Sequence, residues 1–300
     1  MPRTAASIEA EEIARFSRHA GDWWNPDGAF RPLHRLNPVR LDYVRDRVCG
    51  HFRRDPAARQ ALKGLTILDV GCGGGLLSEP LARMGGKVTG LDASKEAIAV
   101  AQAHAKAGGL VIDYRIGGVE DLVRYFNKRG ASPSPLGGIE SERIRCPKGS
   151  GWDGGSRRSG NRMAAPTPHL TSPQGGRNAS RYDVITALEI AEHVADLDSF
   201  LAALARLLKP GGLLILSTLN RTPKSFLLGI VAAEYILGWV PRGTHDWKKF
   251  IRPSELAGKL EANGLRAGDL TGLVFNPLRG EFELRAGDVE VNYMVTAMKA

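Results

Sequence analysis

The stretch Thr66-Ile67-Leu68-Asp69-Val70-Gly71-Cys72-Gly73-Gly74-Gly75-Leu76-Leu77-Ser78 decides the fold. A short apolar run ends at Asp69-Val70, four glycines come within five residues, and an apolar helical pattern resumes at Leu76. A strand, a tight turn and a helix start, in that order, cradle a nucleotide-type cofactor. A backbone that touches its ligand needs positive φ and no Cβ in the way, which glycine supplies. The next helix points free N–H groups at whatever fills the gap. A dinucleotide fingerprint wants glycine at the first, third and sixth positions; here these are Gly71, Gly73 and Leu76, so the sixth fails. The spacing that holds is Gly71-x-Gly73-x-Gly75.

Working outward, Lys87 to Asp92 reads as a second buried strand that ends on an acid. An acid about 20 residues after such a loop is placed to accept both ribose hydroxyls of a nucleoside. A carboxylate can take two such bonds at once. The competing reading of Asp92 is a strand-end cap for the helix that begins at Ser94. Ser94 to Lys106 predicts a helix, Val111 to Ile116 a third strand, and Val119 to Phe126 a short helix. Tyr182 to Glu189 predicts a fourth strand, about Leu197 to Leu208 a helix, and Lys209-Pro210-Gly211-Gly212 its stop. Leu213 to Thr218 is a fifth strand, Pro253 to Ala262 a helix, and Leu265 to Leu270 and Val289 to Met298 closing strands with a hairpin-like edge. This alternation calls for an α/β fold, a parallel sheet with helices on both faces. Upstream, residues 8 to 20 predict an amphipathic helix, and a further helix runs through about Cys49, so residues 1–60 read as an N-terminal helical cap on a domain spanning 61–300. Between these helices Trp23 and Trp24 call for a partner, because exposed indoles are costly. They either staple the N-terminal helix or wall a substrate cavity.

The net charge of +9 invites a nucleic-acid reading, but ten bases against three acids between Asn127 and Arg181 supply +7 of it. The basicity belongs to one segment and not to a folded surface, so no nucleic-acid partner is expected. The same 55 residues hold ten Gly, six Pro and eight Ser with one aromatic, Trp152. Such a composition offsets too little ordering entropy by burial, which predicts a disordered insertion at 127–181. The three cysteines show no paired or metal-binding spacing, as expected of a reducing compartment. The acid-bearing first 16 residues do not read as a secretory signal, and no apolar run reaches the roughly 20 residues of a membrane span. Ser225 to Val240 holds a single charge, Glu234, between flanking bases. It is either a buried helix or an apolar helix lying on an anionic membrane surface.

The glycine loop resembles that of S-adenosylmethionine-dependent methyltransferases. Together with Phe30 to Arg40, Glu189 to Val194, Ser217 to Arg221, Ala233 to Leu237, Gly243 to Asp246, Lys248 to Phe250, Thr271 to Leu273 and Val291 to Met294, the chain resembles the ubiquinone-biosynthesis O-methyltransferases. That family methylates phenolic hydroxyls of polyprenylated quinone precursors. The resemblance implies a class I methyltransferase fold, Rossmann-like, with a seven-stranded sheet whose last strand is antiparallel. It implies S-adenosyl-L-methionine as cofactor, with contacts at Arg40, Gly71, Gly73, Asp92 and Leu188. It further implies a polyprenylated phenol or quinol substrate, a cytoplasmic enzyme held peripherally on the inner membrane through about 224–241, and room for other ubiquinone-biosynthesis enzymes as partners. A different small-molecule acceptor is the alternative.

Methyl transfer from a sulfonium is an in-line displacement, and a phenol with a pKa of about 10 is a poor nucleophile until its proton is taken. Glu189-x-x-Glu192-His193, just past the fourth strand, is the candidate for that task. Glu192 and His193 are the candidate catalytic pair, with His193 as a plain general base in one reading. In another, Glu189, Glu192 and His193 hold a divalent ion that lowers the phenol pKa, which the resemblance allows to be Mg2+; in a third, the cluster only caps a helix and is hydrogen-bonded.

Overall fold

The computed structural model describes residues 20–28, 30–129, 182–228 and 246–300. The helix predicted at 8–20, most of the apolar stretch 225–240 and all but the first residues of the 127–181 insertion lie outside them. The strands are β1 (Thr66–Val70), β2 (Lys87–Asp92), β3 (Asp113–Ile116), β4 (Tyr182–Leu188), β5 (Leu208–Leu219), β6 (Leu265–Asn276), β7 (Glu281–Ala286) and β8 (Asn292–Lys299). The main helices are α1 (Arg31–His51), α2 (Ser78–Arg83), α3 (Lys95–Ala107), α4 (Val119–Arg129), α5 (Leu197–Leu207) and α6 (Pro253–Ala262).

One sheet takes all eight strands in the order β3-β2-β1-β4-β5-β8-β6-β7. The first five run parallel, and β8 is antiparallel to both neighbours, β5 and β6. The reversed last strand is as expected, but the count is eight where seven were expected. The added strand, β7, pairs antiparallel with β6 at the sheet edge; its Glu-Phe-Glu-Leu-Arg-Ala alternates polar and apolar residues, but over only six residues of which four are exposed. β6 likewise runs on to Asn276 because it has β7 to pair with.

Strand residues alternate between two cores, as the pleat requires. Ile67, Val184, Leu213, Ile215 and Met294 face one side, with Tyr43, Val44 and Val48 of α1 and Leu81 of α2. Leu68, Val70, Ile185, Leu214, Leu216 and Val295 face the other, with Val119 and Leu122 of α4, Phe200 and Leu204 of α5, and Leu256 and Leu260 of α6. Lys209-Pro210-Gly211-Gly212 ends no helix by itself. α5 stops at Leu207 and β5 has already begun, Leu208 pairing with Tyr182 before an irregularity that restarts the ladder at Val184–Leu213. Gly211, at φ +69°, carries the chain through that irregularity. Ser94 caps α3 by accepting the Ala97 N–H at 3.1 Å, a bond worth about 1 kcal/mol.

Candidate active site

The parallel strands end together at one sheet edge, and the site is built from the segments beyond those ends. After β1 the chain turns on Gly71 at φ +70° and Gly73 at φ +51°. The Gly71 and Cys72 N–H groups both donate to Leu91 O, at 2.8 and 3.1 Å, which ties the loop to β2. Asp92 closes the same corner: Oδ2 accepts the Gly73 N–H and Oδ1 the Ser94 N–H, each at 2.8 Å. Burial pushes the Asp92 pKa up, and the Ser94 and Gly73 N–H bonds pull it back. Two oxygens offer about four acceptor directions, so both keep capacity for a ligand hydroxyl. Asp92 therefore serves the helix start as well as the loop, and neither use exhausts it.

The loop's other flank is the acid segment. A Cβ on Gly71 would stand 3.1 Å from Ile190 Cδ1, so the glycine turn and the chain after β4 touch. Glu189 holds φ +54°, a left-handed conformation costly for a residue with a Cβ. Its backbone N–H donates to Ser217 Oγ at 2.9 Å, and its carboxylate accepts from Ser217 Oγ at 2.7 Å and from Asn292 Nδ2 at 3.2 and 3.3 Å. Glu192 is buried in the 3-10 turn Ala191–His193, where Thr218 Oγ1 donates to it at 2.7 Å. Burial pushes the Glu192 pKa up to about 7; His193 opposes that rise and Glu189 adds to it. His193 is buried too, its N–H on Ile190 O at 3.0 Å. Among the described residues no group of three His, Cys, Asp or Glu side chains is arranged to hold a metal ion. Glu189, Glu192 and His193 are neighbours, but the two carboxylates are turned to Ser217, Asn292 and Thr218.

Arg40 reaches this corner from α1. It is buried, with Nη2 on Asn37 Oδ1 at 3.3 Å, and Asn37 Nδ2 fixes the helix to Leu76 O at 2.8 Å. Burial lowers the Arg40 pKa, while Glu189 and Asp69 raise it. Its Nε is buried without a hydrogen-bond partner among the described residues. Leu188, the last residue of β4, is buried and pairs in register with Ser217.

Two contributors lie outside the site residues named from the sequence. Asp69 is buried in β1 and accepts from Ser78 Oγ at 2.6 Å and Thr186 Oγ1 at 2.9 Å. Burial raises its pKa to about 6 against those bonds and Arg40. An acid inside an apolar strand next to the glycine loop was the available signal. Trp23 and Trp24 pack over the loop itself: the Trp23 ring covers Gly73 and Gly74, and Trp24 Nε1 donates to Gly74 O at 3.0 Å. Trp23 stacks on Phe30 with ring centroids 3.8 Å apart, and Trp24 on His104 at 3.5 Å. The indoles thus find their partner in the loop. Trp23 Nε1, like Arg40 Nε, is buried and unpartnered among the described residues.

A family model described as a methyltransferase domain matches residues 41–268. In the solved magnesium protoporphyrin IX methyltransferase of Synechocystis with bound SAH, 97% of this chain and 100% of that one superpose at TM-score 0.53 and 19% identity. A SAM-dependent methyltransferase from Thermotoga maritima, a possible histamine N-methyltransferase, gives 0.52 at 13% identity over 96% of this chain and 100% of that one. The fold is that of a class I methyltransferase. Curated relatives narrow this. The ubiquinone biosynthesis O-methyltransferase of Methylobacterium sp. (strain 4-46) is 44% identical over 98% of this chain and 96% of its own length. Its namesake in Sinorhizobium fredii is 41% identical over 100% of this chain and 99% of its own. The chain belongs to the ubiquinone biosynthesis O-methyltransferase family.

Proposed function

We propose that this chain transfers the methyl group of S-adenosyl-L-methionine to a phenolic hydroxyl of a polyprenylated ubiquinone precursor. The observation that carries the reading is the contact of Gly71 with Ile190, which sets a nucleoside-type loop against a buried carboxylate in one crevice. The cofactor fits the residues present. Arg40 and Trp23 leave buried donors without a partner among the described residues, and Asp92 keeps acceptor capacity. In this reading Arg40 holds the carboxylate of the cofactor, Gly71 and Gly73 admit its methionine part, Asp92 takes the ribose, and Leu188 walls the adenine. When bound, the cofactor supplies an electrophilic methyl on a sulfonium. Glu192, held by Thr218 and poised near neutral pH, takes the phenol proton, with His193 beside it in sequence as the second candidate. As placed, Glu189, Glu192 and His193 do not form a metal site, so no step is assigned to an ion.

The test is a methyl-transfer assay on the full chain with S-adenosylmethionine and a short-tailed prenylated catechol, run with and without chelator. An O-methyl product with one S-adenosylhomocysteine per turnover is expected. A folded protein that binds the cofactor and methylates nothing phenolic overturns the reading. Insensitivity to chelator supports Glu192 as base, and loss of activity supports an ion on the acid segment.

A second reading concerns attachment. Phe226, Leu227 and Leu228 are 46, 57 and 46% exposed where the apolar stretch begins, next to Lys224. Consecutive exposed apolar side chains suit a bilayer surface, as the 224–241 reading requires; Lys224 beside them is ion-paired with Glu290, so the apolar side chains carry this reading. No described helix is long and apolar enough to cross a membrane. On this reading the enzyme works peripherally at the cytoplasmic face of the inner membrane.

A further inference from the structure

The strand edge beyond the acid segment holds two buried amide oxygens with no donor among the described residues. Asn220 comes directly after β5, and Asn292 opens β8 opposite Leu219. Asn292 Nδ2 lies 3.2 and 3.3 Å from the two Glu189 carboxylate oxygens, and Asn220 Nδ2 donates to Val289 O at 2.8 Å. The Val289 carbonyl can only accept, and the Glu189 carboxylate already accepts from Ser217 Oγ, so in each amide the NH2 is the half that faces them. The orientation of both amides is therefore fixed by chemistry. The groups left over are Oδ1 of Asn220 and Oδ1 of Asn292, each buried and without a hydrogen-bond partner among the described residues. Buried acceptors are normally satisfied, and two open ones at a functional edge point to a ligand donor.

The cofactor and the methyl acceptor both carry donors. Sheet order separates them: the nucleoside corner lies over β1 and β2, whereas β5 and β8 stand on the opposite side of β4. The open oxygens thus lie on the β5–β8 side of the acid segment, the side on which this inference places the acceptor. Of the acceptor's hydroxyls, the one that receives the methyl gives up its proton to the base. A ring hydroxyl next to it keeps its proton and has one to donate. We propose that Asn292 reads this second hydroxyl, accepting its hydrogen on Oδ1 while Nδ2 holds Glu189. Asn292 then makes the site prefer vicinal dihydroxy rings over single-hydroxyl phenols, with Asn220 Oδ1 as the second open acceptor at that edge. The inference rests on the proposed phenolic methyl transfer.

Calorimetry on the full chain saturated with S-adenosylhomocysteine tests it without requiring turnover. The probes are a short-tailed prenylated catechol and the matched phenol that lacks the neighbouring hydroxyl. Wild type should bind the catechol tighter by about tenfold or more, because the phenol leaves a buried acceptor unpaired. Asn292→Leu, or Asn292→Ala if the larger side chain misfolds, should collapse the ratio of the two Kd values toward one. Retained S-adenosylhomocysteine binding shows that the variant is folded. Ser217→Ala loosens Glu189 but keeps the Asn292 oxygen, so the ratio should survive it. A ratio unchanged by loss of Asn292, or lost equally in Ser217→Ala, overturns the inference, since Asn292 then serves only to hold Glu189. Wild type that binds S-adenosylhomocysteine but neither ring overturns the proposed function itself.

Discussion

Replacing Gly73 by alanine tests how the glycine loop is covered. Gly73 sits at φ +51°, and a Cβ there would fall 2.5 Å from Trp23 Cζ2. Trp23 has little freedom to yield: it is buried, it stacks on Phe30, and His34 Nε2 holds its carbonyl at 2.8 Å. Two costs therefore add. An alanine in the left-handed region costs about 1–2 kcal/mol, of which about 0.4–1 is offset by stiffening the unfolded chain. Overpacking against the indole adds about 1–3 kcal/mol. Gly109 separates them, because it holds φ +66° with nothing within 4 Å of its Cβ position. Gly109→Ala should cost about 1 kcal/mol or less, and Gly73→Ala about 2–4 kcal/mol, read as urea midpoints at equal slope. In a Trp23→Ala background the penalty of Gly73→Ala should fall to that of Gly109→Ala, a coupling of about 1–3 kcal/mol. Equal costs for the two alanines, or a Gly73 penalty undiminished without Trp23, would refute the packing argument.

Asp92→Ala should weaken S-adenosylmethionine binding about a hundredfold or more, since hydrogen bonds to a charged acceptor are worth about 1.5–3 kcal/mol each; unchanged affinity by calorimetry would sink the ribose assignment. Glu192 titrates near 7 in the folded protein against an ordinary 4.5, so the folded state keeps a proton that the unfolded chain releases. Its contribution is therefore fully present below about 4.5 and is lost as pH rises toward 7, by up to about 3 kcal/mol. Glu192→Gln should gain stability relative to ligand-free wild type across that window, and parallel denaturation curves from pH 4.5 to 8 would contradict the burial argument. Deleting residues 130 to 178, which joins α4 to β4 more directly, should leave methyl transfer largely intact; a folded but inactive deletion variant would give the insertion a function.

How much of the molecule is legible in the sequence depends on the reach of each interaction. The turn at Gly71 and Gly73 and the acid ending β2 are local, so spacing and composition announce them; the helix start near Ser94 was legible too, but with Asp92 and not Ser94 read as its cap. The bounds of α6, Pro253–Ala262, were legible for the same reason. β7 was passed over although Glu281-Phe282-Glu283-Leu284-Arg285-Ala286 alternates polar and apolar residues, because six mostly exposed residues between Gly280 and Gly287 read as easily as a loop. The site's support is nonlocal as well. Glu189 is oriented by Ser217 and Asn292, 28 and 103 residues away, and Trp24 reaches Gly74 across 50. Nothing in the pattern around Asn292 marks it as more than the start of a strand. Its significance arises only when antiparallel pairing of β5 and β8 sets it opposite Leu219, beside the residue that leaves β4 with a positive φ. The reversed strand therefore does more than complete the sheet. It delivers an amide to the crevice from a direction that no parallel strand could supply, since only an antiparallel strand begins where its neighbours end. The glycine loop marks the proposed methyl-donor site from sequence alone, whereas the side chains proposed to meet the acceptor are assembled by topology.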